Sequence, residues 1–458
     1  MSGPQDEWFT SEAASRQVSA QRQLPAAAAV AAIEHQTRGL GFPQGPVMLR
    51  PLLVPQRSYD EMFTAARKVI GLLRRALLGA APTWQGRLAA LGEDETVYPA
   101  CLFMPDPALE ERYSTSLARP DAIVGPDGLK FLEFNITGVI GGAVESQMIT
   151  QAMWKVYGGR RGAPFTGSDP LAGRADMFAA ICRELQAPPS AALLGTLRYG
   201  LCGGNPGTER YFELELDYLR RRGMTAEYFE PDELLSGIGY PGRSAFSVGL
   251  RHFAAEEWRS LGIELEPIGQ ALAAGCLLLS TQTGRMIGNK KVMAWVSEGL
   301  PWMTDAEREL ADSYLPWTRL VRSGKTLWRG RRFDTIDLIT GRREQFVLKR
   351  GSGFGGKQVT IGQECGQAAW DAAVQAALDG GDSVVQEYVE ARRCRLEMAD
   401  GVDGEPYEVT AAPVLSPFLC GGRRAGCMVR YHPTGAAGIV SCYLGALASV
   451  VMAARQPG

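Results

Sequence analysis

Four polar side chains near residue 130 have the types and the spacing of a charged binding site. Arg119 and Asp121 are followed, after the turn signal Gly-Pro-Asp-Gly at 125–128, by Glu133 and Asn135. A three-residue Pro-Asp-Gly loop with its glycine in the left-handed conformation would pair Asp121 with Glu133 and Arg119 with Asn135. Because side chains alternate along a strand, Glu133 and Asn135 share one face. The sequence therefore predicts a polar patch on a β-hairpin.

The two carboxylates of this patch need a compensating charge. At a separation of about 4 Å and an effective dielectric constant of about 20, they repel by roughly 4 kcal/mol. Arg119 compensates in part, and a hard cation does so better, because carboxylate and amide oxygens are the ligands that Mg²⁺ prefers. We therefore expect a magnesium site at Asp121, Glu133 and Asn135. The alternative is a solvent-facing hairpin with an ordinary Arg119–Asp121 ion pair.

A glycine-rich loop at 351–357 has the composition of a phosphate-binding segment. Its letters GSGFGGK match parts of both GxGxxG and GxxxxGK, but Lys357 is followed by Gln358 and not by the Ser or Thr of a P-loop. Those loops open into a helix, whereas 358–361 has the pattern of a strand. The pattern favours a strand–loop–strand flap over phosphates, with Lys349 at the end of its first strand. The alternative is a surface hairpin with an exposed lysine.

The composition argues against several other mechanisms and partners. The 458 residues include three histidines (His35, His252 and His432) and neither an HExxH motif nor a CxxC pair, which leaves few parts for a zinc site or a histidine-based triad. A formal charge of −2 gives no electrostatic argument for a nucleic-acid or anionic-membrane partner. Scattered cysteines, no secretory-type N-terminus and no bilayer-length apolar run predict a reduced, cytoplasmic protein.

The elements that must position these residues belong to a mixed α+β or α/β fold. Apolar residues at three- and four-residue spacing predict a helix within 60–92. A strand at 191–196, a helix at 208–222 and a strand at 226–230 are typical of a small doubly wound lobe. Downstream, the patterns predict helices at 289–296, 303–316 and 367–378, and strands at 345–349, 358–361, 383–389 and through most of 405–450.

With these motifs in view, the chain resembles the ATP-grasp superfamily, in the circularly permuted branch typified by glutathionylspermidine synthetase. That branch has an R-x-D motif with E-x-N twelve residues after the aspartate, and the hairpin residues reproduce this spacing. The other motifs follow in the family's permuted order: Gly288-Asn289-Lys290 opening a helix, Leu315-Pro316-Trp317-Thr318-Arg319, Val347-Leu348-Lys349 before the glycine-rich loop with Arg350 in place of a proline, the strand 384–389, and a GG…G…R hairpin at 420–430.

The resemblance implies roles for these residues. In the family, the Asp, Glu and Asn of the hairpin hold Mg²⁺, which implies about two ions at Asp121, Glu133 and Asn135. Arg119 and Arg430 would stabilise an acyl phosphate and an oxyanion. The residues implied in ATP binding are Lys290, Lys349, Gly351, Ser352, Gly353, Gly355, Gly356 and Lys357, with Gln386, Glu387, Tyr388 and Val389 as the strand that contacts adenine.

The resemblance also implies how the chain is organised. The expected fold is a circularly permuted ATP-grasp fold with a small pre-ATP-grasp lobe and a helical N-terminal region. Its segments would be a helical arm and substrate-side region at 1–100, the part with the metal-binding hairpin at 101–187, the α/β lobe at 188–285 and the nucleotide-binding lobe with the glycine flap at 286–458.

The function implied by this resemblance is an ATP-dependent carboxylate–amine ligase. It would form an amide or peptide bond between small-molecule or amino-acid substrates through an acyl phosphate, with ATP and Mg²⁺. Two alternatives are another ATP-dependent phosphotransferase and a catalytically degenerate ATP-binding module. The missing Ser or Thr after Lys357 and the absence of a kinase HRD…DFG set count against the first. The intact acidic and lysine sets count against the second.

Overall fold

The computed structural model describes residues 8–40, 45–199, 201–202, 205–206, 209–230, 233, 239–240, 243–353, 358–435 and 438–455. Within these ranges the α-helices span Glu12–Ala20, Ala26–Thr37, Gln56–Ala80, Trp84–Leu91, Pro107–Arg112, Ala143–Val156, Pro170–Glu184, Glu209–Arg221, Ala255–Ser260, Glu266–Ala273, Gln282–Ile287, Lys290–Glu298, Asp305–Tyr314, Thr335–Gly341 and Gln367–Gly380. In the part of the chain so described, no helix combines the length and the apolar character needed to cross a membrane.

Most strands belong to three sheets. The central sheet has the order Leu52–Pro55, Leu447–Ala454, Arg423–Tyr431, Val414–Cys420, Leu117–Gly125, Gly128–Asn135, with Phe165–Thr166 also pairing to its second strand. The parallel sheet has the order Leu277–Leu279, Val248–Arg251, Ser190–Leu194, Thr225–Phe229. The antiparallel flap sheet has the order Thr318–Leu320, Ser383–Glu387, Phe346–Arg350, Val359–Ile361. The other pairings join Val47–Met48, Cys394–Ala399 and Tyr407–Ala411, then Lys325–Trp328 with Arg331–Asp334, Leu201–Cys202 with Asn205–Pro206, and Gly239–Tyr240 with Arg243–Ser244.

A long helix, Gln56–Ala80, packs against the central sheet. Its buried apolar positions recur at helical spacing and share one core with the sheet: Met62, Ala65, Ala66, Val69, Ile70, Leu73 and Leu77. The helix predicted within 60–92 is thus confirmed as two helices. The first ends at Ala80, and the second begins at Trp84 after Pro82, because a proline cannot donate a helical backbone hydrogen bond.

The polar hairpin has the predicted pairing but reaches it by a different route. Asp121 lies opposite Glu133, and Arg119 lies opposite Asn135, so the predicted register is confirmed. The three-residue loop is wrong, because Gly125 pairs with Gly128 and the loop has two residues. A bulge at Leu132, which has no partner residue on the opposite strand, restores the register. The bulge decides which side chains share the polar patch.

The parallel sheet confirms the predicted strand–helix–strand unit. Ser190–Leu194 and Thr225–Phe229 are parallel neighbours connected through the helix Glu209–Arg221. The loop after the polar hairpin packs against the carboxyl ends of this sheet, since a Cβ atom at Gly138 would lie 2.6 Å from the carbonyl oxygens of both Arg251 and Leu279. The carboxyl ends of such strands are where α/β sheets bind ligands.

The flap sheet confirms the predicted strand–loop–strand unit. Phe346–Arg350 and Val359–Ile361 are antiparallel neighbours on either side of the glycine-rich loop. The helix Gln367–Gly380 covers this sheet with Trp370, which is fully buried and donates a hydrogen bond from Nε1 to the Ile339 carbonyl oxygen at 2.8 Å. The core of the flap sheet is thus separate from the core of the central sheet.

Two features of the fold were not predicted. Leu447–Ala454 pairs in parallel with Leu52–Pro55, which brings an early segment into the central sheet. A hairpin of Lys325–Trp328 and Arg331–Asp334 precedes the strand Phe346–Arg350 in the chain. None of the eight cysteines whose side chains the structure describes forms a disulfide bond.

Candidate active site

A cavity of about 480 Å³ is lined by residues of all three main sheets. This volume is typical of small-molecule sites. Seven polar residues that the sequence singled out line it together: Arg119, Asp121, Glu133, Asn135, Lys290, Lys349 and Arg430. Segments that are distant in sequence thus bring three carboxyl or amide groups and four cations to one place.

Asp121 is the centre of a buried hydrogen-bond cluster. Its Oδ2 atom lies 2.6 Å from Arg430 Nη2 and 3.4 Å from Asn135 Nδ2. Its Oδ1 atom accepts a hydrogen bond from Ser416 Oγ at 2.8 Å and lies 3.6 Å from Arg119 Nε. Each carboxylate oxygen of Asp121 therefore already has at least one close partner within the protein.

The charges of this cluster support one another. Burial alone would raise the pKa of Asp121, but the guanidinium groups of Arg430 and Arg119 outweigh it and hold that pKa well below its usual range. Burial lowers the pKa of Arg430 less than the Asp121 carboxylate raises it. The pair is therefore fully charged at neutral pH.

Glu133 and Asn135 present oxygen atoms that are open to a ligand. Asn135 Nδ2 lies 3.1 Å from the Arg119 carbonyl oxygen and 3.4 Å from the Asp121 carboxylate. Both partners are acceptors, which leaves the Asn135 carbonyl oxygen for the cavity. The Glu133 side chain is 28% exposed, and its Oε2 atom lies 3.3 Å from Lys290 Nζ. Among the described residues, no three His, Cys, Asp or Glu side chains form a group that could hold a metal ion.

Lys349 is a buried cation on the wall formed by the flap sheet. Its Nζ atom donates hydrogen bonds to Gln386 Oε1 at 2.6 Å and to the carbonyl oxygen of the bulge residue Leu132 at 3.2 Å. Burial lowers the pKa of Lys349 to about 8, against the opposing effect of Glu133, while Lys290 lowers it further. The ammonium group thus faces the cavity with two neutral acceptors behind it.

Lys290 is placed by the start of a helix. Asn289 caps Lys290–Glu298 by accepting a hydrogen bond from the Lys291 backbone N–H at 3.0 Å. The Asn289 amide nitrogen is held in turn by Glu93 Oε1 at 3.0 Å and Tyr98 Oη at 3.1 Å. Lys290 Nζ donates to the Gly353 carbonyl oxygen at 2.7 Å. The predicted helix with Lys290 at its start is confirmed, and residues near 93–98 support it.

The first part of the glycine-rich loop borders the cavity. Gly351, Ser352 and Gly353 line it, whereas the predicted residues Gly355, Gly356 and Lys357 lie outside the described residues. A Cβ atom at Gly351 would lie 2.8 Å from the Asn289 side-chain oxygen and 2.9 Å from the Asp382 carbonyl oxygen. A glycine is therefore needed where the loop passes the helix that carries Lys290.

The strand predicted to contact adenine also borders the cavity, through Gln386, Glu387, Tyr388 and Val389. The backbone N–H of Glu387 donates to the Trp317 carbonyl oxygen, and that of Tyr388 donates to the Gln345 carbonyl oxygen, both at 2.7 Å. Those two amides already have protein partners. The side-chain oxygen of Gln386 accepts a hydrogen bond from Lys349.

Two residues that the sequence reasoning missed lie at the carboxyl ends of the parallel sheet. Arg251 is 6% exposed and lines the cavity, and its guanidinium donates to the Ser280 carbonyl oxygen at 2.6 Å. No carboxylate of the described residues lies within 4 Å of it. Gln282 also lines the cavity, and its buried Nε2 atom has no hydrogen-bond partner among those residues. The available signal was a charged residue at the end of the short apolar run 248–251.

The fold is similar to that of a solved structure with low sequence identity. A glutathione synthetase-like effector from Globodera pallida aligns with a TM-score of 0.56 at 12% identity, over 95% of this chain and 99% of that one. A protein assigned as a gamma-glutamylcysteine synthetase from Methylobacillus flagellatus gives a TM-score of 0.39 at 11% identity, over 85% and 86% of the two chains. That TM-score is too low to indicate a shared fold.

Comparisons at the level of sequence give no relatives. No family model matches the chain, and no curated protein matches it. The chain is therefore a mixed α/β protein whose fold is similar to that of a glutathione synthetase-like protein.

Proposed function

We propose that this protein is an ATP-dependent ligase that joins a carboxylate to an amine through an acyl phosphate. The observation that carries the proposal is the convergence of Lys290, Lys349, Arg119 and Arg430 with the oxygen donors of Glu133 and Asn135 on one cavity. Acyl-phosphate chemistry needs charge neutralisation and alignment, which these groups supply without histidine. The fold's similarity to a protein named glutathione synthetase-like is consistent with this proposal.

The two lysines would bind the phosphates of ATP. Lys349 and Lys290 reach the cavity from the flap sheet and from a helix start, so they would contact the phosphate chain from two sides. Gly351, Ser352 and Gly353 would approach it with their backbone, and the predicted Gly355, Gly356 and Lys357 would complete the flap. The segment Gln386–Val389 would border the nucleobase, and the Gln386 side chain would hold Lys349 through a hydrogen bond.

Glu133 and Asn135 would hold Mg²⁺ together with the phosphates. Mg²⁺ binding through one or two protein oxygens plus substrate phosphates is the usual arrangement in such sites, and the ion neutralises charge on the transferring group. Asp121 was predicted as a third ligand. Because Arg430 contacts one of its carboxylate oxygens and Ser416 donates to the other, we propose that Asp121 instead orients the two arginines.

The reaction would proceed in two displacement steps. A carboxylate oxygen of the substrate attacks the γ-phosphorus of ATP, forming a C–O–P linkage as the bond to ADP breaks. The amine nitrogen then attacks the acyl carbon, the C–N bond forms, and inorganic phosphate leaves with the oxygen as the nitrogen loses a proton to solvent. Arg430 and Arg119 would stabilise the negative charge on the acyl phosphate and on the tetrahedral intermediate.

The substrate's carboxyl group would lie near the parallel sheet. Arg251 is a buried guanidinium with no carboxylate partner in the described part of the chain, and the free amide nitrogen of Gln282 lines the same cavity. A buried cation with no carboxylate in contact favours an anionic ligand. We therefore place a carboxylate of the substrate at these two residues.

The proposal is tested by ADP release over a panel of carboxylates and amines. ADP formation that requires both a carboxylate and an amine supports the ligase. A stable phosphorylated product formed without an amine would instead support a phosphotransferase. ATP binding without any ADP formation above background would support a non-catalytic module. Lys349→Met is the control, since it removes the phosphate contact and should reduce ADP release by about 10²-fold or more.

A further inference from the structure

Thr318 belongs to the Pro316-Trp317-Thr318-Arg319 segment, to which the proposed chemistry gives no role. It does not line the cavity, and its side chain is fully buried in the first strand of the flap sheet. It lies directly opposite Gln386 on the neighbouring antiparallel strand. Gln386 in turn contacts Lys349. Thr318 is therefore two hydrogen bonds away from a cation of the cavity.

The hydrogen bonds around Gln386 form a short chain. Thr318 Oγ1 donates to the Pro316 carbonyl oxygen at 2.9 Å and accepts from Gln386 Nε2 at 3.2 Å. Gln386 Nε2 also lies 3.4 Å from the carbonyl oxygen of the bulge residue Leu132. Gln386 Oε1 accepts from Lys349 Nζ at 2.6 Å. Thr318, Gln386 and Lys349 are buried, and Leu132 is half-buried.

The partners allow only one orientation of the Gln386 amide. The Thr318 hydroxyl has used its proton on Pro316, so it offers Gln386 an acceptor only, as does the Leu132 carbonyl oxygen. The Lys349 ammonium is a donor only. A flipped amide would place two donors 2.6 Å apart and set the amide oxygen against two acceptors. Thr318 therefore helps to keep the amide oxygen on Lys349.

We propose that Thr318 is a positioning residue for Lys349: its hydroxyl fixes the orientation of the Gln386 amide, whose oxygen holds the Lys349 ammonium against the cavity. The inference rests on the proposed function only in giving Lys349 a phosphate to bind. The other charged groups that act on Lys349 are Glu133, Asp121 and Lys290, and none of them contacts Thr318.

The side chain of Thr318 can be changed with little change of shape. Thr318→Val keeps the volume and removes the hydroxyl, so Gln386 Nε2 loses an acceptor and the amide is free to turn its nitrogen toward Lys349. Thr318→Ser keeps the hydroxyl and removes a methyl group. If the hydroxyl positions Lys349, Thr318→Val is impaired and Thr318→Ser behaves like the wild type. If Thr318 only fills space, the Ser variant is the more damaged one.

The first test is a double-mutant cycle on nucleotide affinity, measured by calorimetry with a non-hydrolysable ATP analogue and Mg²⁺. Thr318→Val should weaken binding by about tenfold, the effect of one charge-assisted hydrogen bond, and Thr318→Ser should bind like the wild type. In the Lys349→Met background, Thr318→Val should cause no further loss. A loss that is equally large in both backgrounds would overturn the proposal.

The second test needs neither ligase activity nor a nucleotide. Competitive labelling with acetic anhydride, read by mass spectrometry, compares the amine of Lys349 with that of exposed Lys155 in the same sample. Thr318→Val should raise the relative reactivity of Lys349, because an ammonium that loses its acceptor is more often neutral, and Thr318→Ser should not. Unchanged reactivity in a folded Val variant overturns the proposal. If the two variants differ in this way but the wild type binds no nucleotide, only the proposed function is overturned.

Discussion

The Arg430 guanidinium lies 2.6 Å from the Asp121 carboxylate across an intervening strand of the central sheet. From that middle strand, Ser416 donates a hydrogen bond to the same carboxylate at 2.8 Å. Three strands thus present one charge cluster to the cavity. Because Asp121 is the only carboxylate among these contacts, it determines both the stability of the cluster and the orientation of the Arg430 side chain.

Asp121→Asn should destabilise the protein. The substitution keeps the shape of the side chain but removes the carboxylate closest to the buried Arg430 and Arg119, which costs about 3 to 5 kcal/mol. The free energy of unfolding from urea denaturation measures this. Glu133→Gln is the matched control, because Glu133 is partly exposed and its loss should change stability by less than about 1 kcal/mol. Equal stability losses in the two variants would contradict the assignment.

Substitutions of Asp121 and Glu133 should affect the magnesium dependence of the reaction differently. If Glu133 binds the ion and Asp121 orients arginines, Glu133→Gln raises the Mg²⁺ concentration needed for half-maximal ADP release by about tenfold or more. Asp121→Asn then lowers the maximal rate with little change in that concentration. A Mg²⁺ titration of ADP release distinguishes them. A larger shift for Asp121→Asn would restore Asp121 as a ligand, as the sequence predicts.

Lys349 should set an alkaline limit on nucleotide binding. Burial lowers its pKa to about 8 from a usual 10.5, and only the charged form attracts phosphate, so affinity should fall as the pH rises through about 8. Affinity measured across pH tests this. Lys349→Arg should move the limit to higher pH, since a guanidinium stays charged. If affinity falls at the same pH in that variant, the titrating group is not Lys349.

The sequence predicted the elements around the cavity well where the signal is local. Helix periodicity, the strands on either side of the glycine-rich loop and the register of the polar hairpin depend on neighbouring residues, and the structure contains them. The two-residue turn was missed, because the bulge at Leu132 that compensates for it has no sequence signature. The bulge nevertheless matters, since its carbonyl oxygen is one of the two acceptors for Lys349.

The rest of the site depends on contacts between distant segments. The side-chain oxygen of Gln386 turns to Lys349 because its amide nitrogen faces acceptors on Thr318 and Leu132. Arg251 lies in an apolar strand, and only the packing of the parallel sheet against the loop after Asn135 brings it to the cavity. Burial and missing counter-charges are properties of the folded chain that no spacing in the sequence reports.

Arg251 should determine the affinity for the carboxylate substrate. Arg251→Gln removes the charge, and the loss of a buried contact to a carboxylate should raise the KM for that substrate by at least about 30-fold. The affinity for ATP should stay within about threefold of the wild type, a difference of less than 1 kcal/mol. Calorimetry with ATP and initial rates with the carboxylate measure the two effects. A parallel loss of ATP affinity would place Arg251 at the phosphates instead.

A buried carboxyl group beside this cluster should make the stability of the protein depend on pH. Glu145 lies in the first turn of Ala143–Val156, is 2% exposed, and has one carboxylate oxygen without a hydrogen-bond partner among the described residues. Burial raises its pKa from 4.5 to about 7, although Arg174 and Arg119 lower it. Glu145 therefore binds its proton more tightly in the folded state than in the unfolded one.

The sign of this effect follows from the proton balance. Between the unfolded pKa of 4.5 and the folded pKa of about 7, the native state binds more protons than the unfolded state. Stability therefore falls as the pH rises through this range, and above about pH 7 the ionised Glu145 destabilises the protein by its full amount. Glu145→Gln removes the titration. Its free energy of unfolding should exceed that of the wild type by about 2 to 3 kcal/mol at pH 8 or so and approach it near pH 4.5 or so. Urea denaturation at both pH values measures the difference, and a variant that is less stable than the wild type at the higher pH would show that the Glu145 carboxylate is paired.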